Sequence, residues 1–278
     1  MQIKHLALAA GTVALLAVTA CTNTTEDTTK TVDSSGTNQP DAKASITLTP
    51  VTGSPEFPDA QLSIKNIKTE MQGPDSVKIT IDYDVKNYEL KNQTSDATSK
   101  NCNNSKDGQH IHFILDNQPY VALYEPTKTF TVAANSEHYL MSFLSRSYHE
   151  SIKTPKAGVL QRFSVDAKGK LTKMETPNTP MVFYSRPKGE YLGEDTKNLL
   201  LDFYVYNTTL AADGTKLKVD VNGTNFDVDK WQPYFIQNAP MGDVTVKIQL
   251  VDKDGKNLEG VNTSVTRTAK LAEKEPMK

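Results

Sequence analysis

Apolar and polar residues alternate strictly in several windows of this chain, the period-2 signature of strands with one buried face. Val77, Ile79, Ile81, Tyr83 and Val85 fall on one side, with Lys78, Thr80, Asp82 and Asp84 on the other. The period returns in Leu199, Leu201, Phe203 and Val205, in Leu217, Val219 and Val221, and in Val244, Val246, Ile248 and Leu250. No window of comparable length carries a helical period, so the pattern predicts an all-β fold. Asp213-Gly214, Asn222-Gly223 and Asp254-Gly255 punctuate the strands as hairpin turns, each expected to supply the positive φ of a tight turn.

These pieces recur in order. Val77–Asn87 is echoed by Leu199–Asn207, His110–Asn117 by Lys216–Gly223, and Ser136–Leu144 by Gly242–Leu250 without a gap. The recurrence predicts a duplicated unit: two tandem immunoglobulin-like antiparallel β-sandwiches of about seven strands each. The polar, Pro-rich Thr176-Pro-Asn-Thr-Pro180 sets the boundary, with a first domain over 45–175, a second over 176–271 and a frayed tail over 272–278.

Ahead of the sandwiches the composition changes. Residues 22–44 are almost wholly Thr, Ser, Asn, Asp, Glu, Lys, Gly and Pro, too polar to offset the entropy of ordering, so 21–44 reads as a disordered tether. Residues 1–20 start basic at Lys4 and His5, then run apolar from Leu6 to Val18, short of the roughly 20 residues a membrane-spanning helix needs. With Val18-Thr19-Ala20-Cys21 this resembles a bacterial lipoprotein signal peptide ending in its lipobox. The resemblance implies lipidation of Cys21 on its sulfur and amine, enough acyl chains for stable membrane anchoring. It further implies a cell-envelope location. Thr22, rather than Asp, after the cysteine resembles the outer-membrane signal, facing the periplasm or the cell surface. The net charge of −2 comes with no basic patch, which argues against a nucleic-acid partner. With Cys21 lipidated, Cys102 has no intramolecular disulfide partner.

The histidines carry the candidate chemistry. His110, His112, His138 and His149 all lie in the first unit, and the matched positions of the second hold Lys216, Lys218 and Val244, so the sandwich does not need histidine there. His110 and His112 are two apart on a strand and therefore share a face. Such a pair is a half-site that suits Zn²⁺ or Cu²⁺ and needs one or two further ligands, for which His138, His149, Glu137, Glu150 and Cys102 are available. The repeat register works against one common site. It sets His110 and His112 on the outward face and His138 on a buried one, which leaves two exposed and two structural histidines as the competing reading.

Gly108-Gln-His-Ile-His-Phe-Ile-Leu-Asp-Asn-Gln-Pro-Tyr120, Ser136-Glu-His-Tyr-Leu140 and Ser145-Arg-Ser-Tyr-His-Glu-Ser151 together resemble an uncharacterised family of bacterial envelope β-domains, over roughly residues 75–165. Those domains carry a His-x-His strand followed by a Gly-x-His-x-Leu strand, and Ser136 here replaces the Gly. The resemblance implies fold and compartment and brings no activity.

Arg146 and Arg186, each next to serines, are candidates for holding a phosphate or carboxylate through the planar guanidinium. Asp252–Asn257 lacks the spacing of a calcium loop and reads as a hairpin turn. Trp231 reads as core or interdomain packing. No nucleophile elbow, zinc-protease helix or phosphate loop is present, so no enzyme is expected. The leading expectation is a non-catalytic envelope lipoprotein that binds or scaffolds a protein or glycan partner. Copper or zinc binding through the histidines is the alternative, and phosphate or phosphopeptide binding the second.

Overall fold

The computed structural model describes residues 44–274; the expected signal peptide, Cys21 and the expected tether up to residue 43 lie outside the described residues, as do residues 275–278. The chain forms β1 (Thr47–Pro50), β2 (Gln61–Met71), β3 (Ser76–Lys86), β4 (His110–Leu115), β5 (Val121–Leu123), β6 (Thr127–Ala133), β7 (Ser136–Ser145), β8 (Gly158–Val165) and β9 (Leu171–Met174). It continues with β10 (Met181–Arg186), β11 (Gly189–Leu192), β12 (Leu199–Tyr206), β13 (Lys216–Val221), β14 (Thr224–Val228), β15 (Tyr234–Gln237), β16 (Gly242–Val251) and β17 (Ser264–Ala272).

The fold is all-β, with immunoglobulin-like sandwiches. Sheets β2-β3-β6 and β5-β4-β7-β8-β9 enclose one core, built on Val77, Ile79, Ile81, Ile111, Leu140, Leu144 and Phe163. Sheets β1-β15-β12-β10 and β11-β17-β16-β13-β14 enclose another, built on Leu199, Leu201, Phe203, Val219, Val244, Val246 and Ile248. The alternating rows of the sequence are these inward faces, and each fully buried large aliphatic or aromatic side chain contributes about 1.5–3 kcal/mol. Strand pairing is antiparallel throughout except between β11 and β17.

The register of one five-stranded sheet repeats in the other. His110 stands opposite Ser145 as Lys216 stands opposite Val251, and Leu115 opposite Leu140 as Val221 opposite Val246. Ser136 opposes Val165 as Gly242 opposes Leu271. The β4–β7 and β13–β16 connections also begin alike, for Tyr139 donates its N–H to Asp116 Oδ1 where Thr245 donates to Asn222 Oδ1.

Three local expectations need correction. β1 lies within the range assigned to the first domain, yet it pairs with β15, because Ile46 and Leu48 find their apolar partners in the second core. The tail does not begin at Ala272, which is still paired with Leu192 in β17. Asn222 (φ 48°), Gly223 (φ 87°) and Gly255 (φ 80°) have the left-handed conformation expected of turn residues, but Gly214 does not.

A third apolar cluster joins the two sandwiches. Ile114, Tyr120, Met141 and Phe143 of the first pack against Met181, Phe183 and Tyr204 of the second, with the Phe143 and Tyr204 rings stacked at 5.1 Å. Gly158 lets the two approach closely: a Cβ there would stand 2.7 Å from the Tyr204 hydroxyl. Asn117 behaves as an extra strand partner, donating to Val182 O (2.8 Å) and accepting from Tyr184 N (3.0 Å). Trp231 meets the expectation of packing, edge-on to Tyr204 and donating to Phe203 O.

Candidate metal centre

Alternation along β4 sends Ile111 and Phe113 into the first core and His110, His112 and Ile114 to the opposite face. That outer face was expected to be exposed. Instead it is roofed by β10 and β12, and His110 and His112 are both 0% exposed. The roof turns polar where it meets them. The β10 register against β12 slips between Tyr184 and Arg186, and such a bulge re-aims side chains. Ser185 Oγ there lies 3.0 Å from His112 Nδ1.

His149 comes from the turn after β7. Arg146 N donates to Glu150 O and His149 N to Arg146 O, just as Asp252 N donates to Lys256 O and Gly255 N to Asp252 O in the second sandwich. His149 therefore occupies the place of Gly255, and it too is left-handed, at φ 68°. A side chain in that conformation costs about 1–2 kcal/mol that glycine avoids. The first sandwich tolerates this cost at a residue whose ring is buried among the other histidines.

His110 Nε2 lies 2.9 Å from His112 Nε2 and 3.1 Å from His149 Nδ1, and all three ligand atoms lie within 4.8 Å of one another. The Gly108 carbonyl can only accept, so His110 Nδ1, 2.8 Å away, carries the proton and Nε2 presents its lone pair to the cluster. Gly108 is itself constrained, since a Cβ on it would collide with the Lys91 carbonyl. Two nitrogens bound tetrahedrally to one Zn²⁺ at about 2.0–2.1 Å stand about 3.3–3.4 Å apart, so the two pairs made by His110 need to open by only a few tenths of an ångström, while the third pair must draw in from as much as 4.8 Å by a turn of the His112 or His149 ring. Gly108 O and Ser185 Oγ supply the outer hydrogen bonds that fix ring orientation in metal sites. Tyr120 closes one side, its ring stacked on His112 at 3.7 Å and its hydroxyl 3.2 Å from His149 Nδ1.

The electrostatics keep the imidazoles neutral, the form that binds metal. Burial holds His110 down to about 4, only partly offset by the Gly108 carbonyl, and the charges of Arg186 and Lys188 act in the same direction as burial. Burial likewise holds His112 and His149 well below the usual histidine range, reinforced by neighbouring histidines, Arg186 and Lys188.

The other proposed ligands fall away. His138 is on the inner face of β7, packed on Phe163 and hydrogen-bonded to Asp116 Oδ2 and Ser136 Oγ at 2.7 Å each. It is separated along the strand from Phe143, the cross-strand neighbour of His112, by roughly 17 Å at the usual rise per residue. Glu150 accepts from Arg146 Nη1 (2.8 Å) and Ser54 Oγ (2.7 Å), and Glu137 accepts from Arg162 Nε (2.6 Å). Cys102 is buried beside Ala97 and Tyr148, and burial pushes its thiol up to about 12.

The two candidate anion-binding arginines also part ways. Arg146 is neutralised by Glu150 and donates besides to Pro55 O and Ser151 O, so it is a structural residue at the edge of a cleft of about 360 Å³ lined in part by Phe57, Glu150 and Lys153. Arg186 has no such partner. Ser185, Tyr120 and Lys188 were not singled out as site residues from sequence. Tyr120 lies within the quoted histidine-rich run, and Ser185 and Lys188 lie within Ser185-Arg-Pro-Lys-Gly189, the stretch that marked Arg186, but nothing local joined that stretch to the histidines.

No protein-family model and no curated protein matches the sequence. Among solved structures, the fibronectin(III)-like modules of Clostridium thermocellum CbhA are similar at 12% identity and a TM-score of 0.25, over 77% of this chain and 94% of theirs. The two tandem V-type regions of VCBP3, a v-region-containing chitin binding protein, are similar at 10% identity and a TM-score of 0.22, over 75% of this chain and 99% of theirs.

Proposed function

We propose that this chain is a lipid-anchored protein of the bacterial cell envelope, displayed from the outer membrane through Cys21, that binds a copper or zinc ion through His110, His112 and His149. The observation that carries the reading is the convergence of three neutral imidazole nitrogens within 4.8 Å at a buried seam between two sandwiches. Support also comes from the second sandwich, which repeats the register with Lys216, Lys218 and Gly255 in their places. The role is non-catalytic: the sandwiches serve as a binding or scaffolding module, and the ion is what they hold.

The test is elemental analysis and titration calorimetry with Zn²⁺ and Cu²⁺ on the full chain carrying Cys21→Ser, which stays unlipidated. One equivalent should bind, and His110→Ala with His112→Ala should abolish it. Binding no tighter than about 100 μM, worth only about 5–6 kcal/mol, would overturn the metal reading and leave the sandwiches as a module for a protein or glycan.

A further inference from the structure

Arg186 is 7% exposed, yet among the described residues no carboxylate pairs with it. Its Nη1 donates to the Tyr191 hydroxyl at 3.0 Å and weakly to Lys188 O at 3.4 Å, while its Nε is buried with no partner. Asp202, opposite it across β10 and β12, gives its Oδ1 to Lys153 (2.6 Å) and Ser151 (2.9 Å). A buried guanidinium without a counter-charge is unfavourable, and its fork of donors matches a planar or tetrahedral oxyanion. Lys188 adds a second cation, its ammonium 4.2 Å from the Tyr120 ring centre and bonded to Tyr120 O at 2.7 Å.

Both charges border the histidines. The Arg186 guanidinium lies 5.4 Å from the Tyr120 ring centre, and the Tyr120 hydroxyl reaches His149 Nδ1. Among the described residues no carboxylate joins the three imidazoles. A metal ion there would keep its full charge, because imidazole ligands are neutral, and would stand beside two further cations. Three protein ligands also leave a coordination position open. We propose that the site takes its metal together with a small oxyanion, a carboxylate, carbonate or phosphate, which fills the open position and is held by Arg186 and Lys188. This rests on the metal-binding reading above.

The test uses the full Cys21→Ser chain loaded with Co²⁺, whose visible absorption reports coordination, titrated separately with inorganic phosphate, acetate and bicarbonate in a weakly coordinating buffer. At least one anion should change the absorption saturably and tighten Co²⁺ binding at least about tenfold, with Co²⁺ tightening the anion by the same factor. Arg186→Gln should weaken the anion at least about tenfold while leaving Co²⁺ binding without anion equal or tighter, since a repulsive charge is gone. Lys188→Gln, at a half-buried site, should act in the same sense and keeps the test alive if Arg186→Gln does not fold. Co²⁺ binding indifferent to every anion up to about 10 mM would overturn the co-ligand while leaving the metal site standing. An anion bound equally well without Co²⁺ would also overturn it. Failure to bind Co²⁺, Zn²⁺ or Cu²⁺ at all would sink both readings.

Discussion

β4, β7 and β8 of the first sandwich and β13, β16 and β17 of the second share one register and one turn geometry, yet opposite things happen on their outer faces. In the second, Lys216, Lys218 and Asp220 line a face open to solvent in part or in full. In the first, the equivalent face is roofed by β10 and β12, and lysines beneath that roof would be buried charges. The comparison separates scaffold from site. The same strands and turn form with lysine, lysine and glycine, so His110, His112 and His149 are additions that the sheet itself does not require.

Acid should separate the two sandwiches most. His110 is held down to about 4 in the fold, whereas an unfolded chain protonates it near 6.5. Below 6.5 the unfolded state then binds more protons, so stability is undiminished above that pH and falls as pH drops from about 6.5 to about 4. At ~1.4 kcal/mol per unit His110 alone removes about 3 kcal/mol across this window, and His112 and His149 add in the same direction. Urea unfolding of the metal-free chain from pH 7 to pH 4.5 measures the slope, and His110→Ala with His112→Ala should flatten it. An unchanged slope would mean that the cluster is not buried in neutral form.

The turn offers a smaller, sharper comparison. His149→Gly should be more stable than His149→Ala by about 1 kcal/mol, and Gly255→Ala should cost about the same, because only glycine takes the left-handed position freely. A Cβ at Gly255 meets nothing within 4 Å, so its cost is that of the backbone alone. Equal stabilities of the two His149 variants would break the equivalence of the turns. The smallest effect belongs to His138. His138→Ala should leave metal affinity unchanged and cost about 1 kcal/mol, the range of a lost side-chain hydrogen bond. Loss of metal in this variant would restore it as a ligand.

Strand positions and the repeated register were legible from the chain, because alternation and turn chemistry act over a few residues: Val244, Val246, Ile248 and Leu250 share one side of their strand, and all four are buried. The histidine pair was legible too, since the parity of a strand puts His110 and His112 on one side. Even the opposite facing of His138 followed from the register. What local pattern could not convey was the roof. A row of His110, His112 and Ile114 reads as outward until Met181, Phe183 and Ser185 arrive from the second sandwich to cover it, and Arg146 and Arg186 look alike until Glu150 neutralises only the first. Sequence alone determined the strands and which residues share a face, through interactions between near neighbours. Only the tertiary structure decided that three imidazoles meet in the dark beside an unpaired guanidinium, because burial and charge pairing are properties of surfaces brought together from distant parts of the chain.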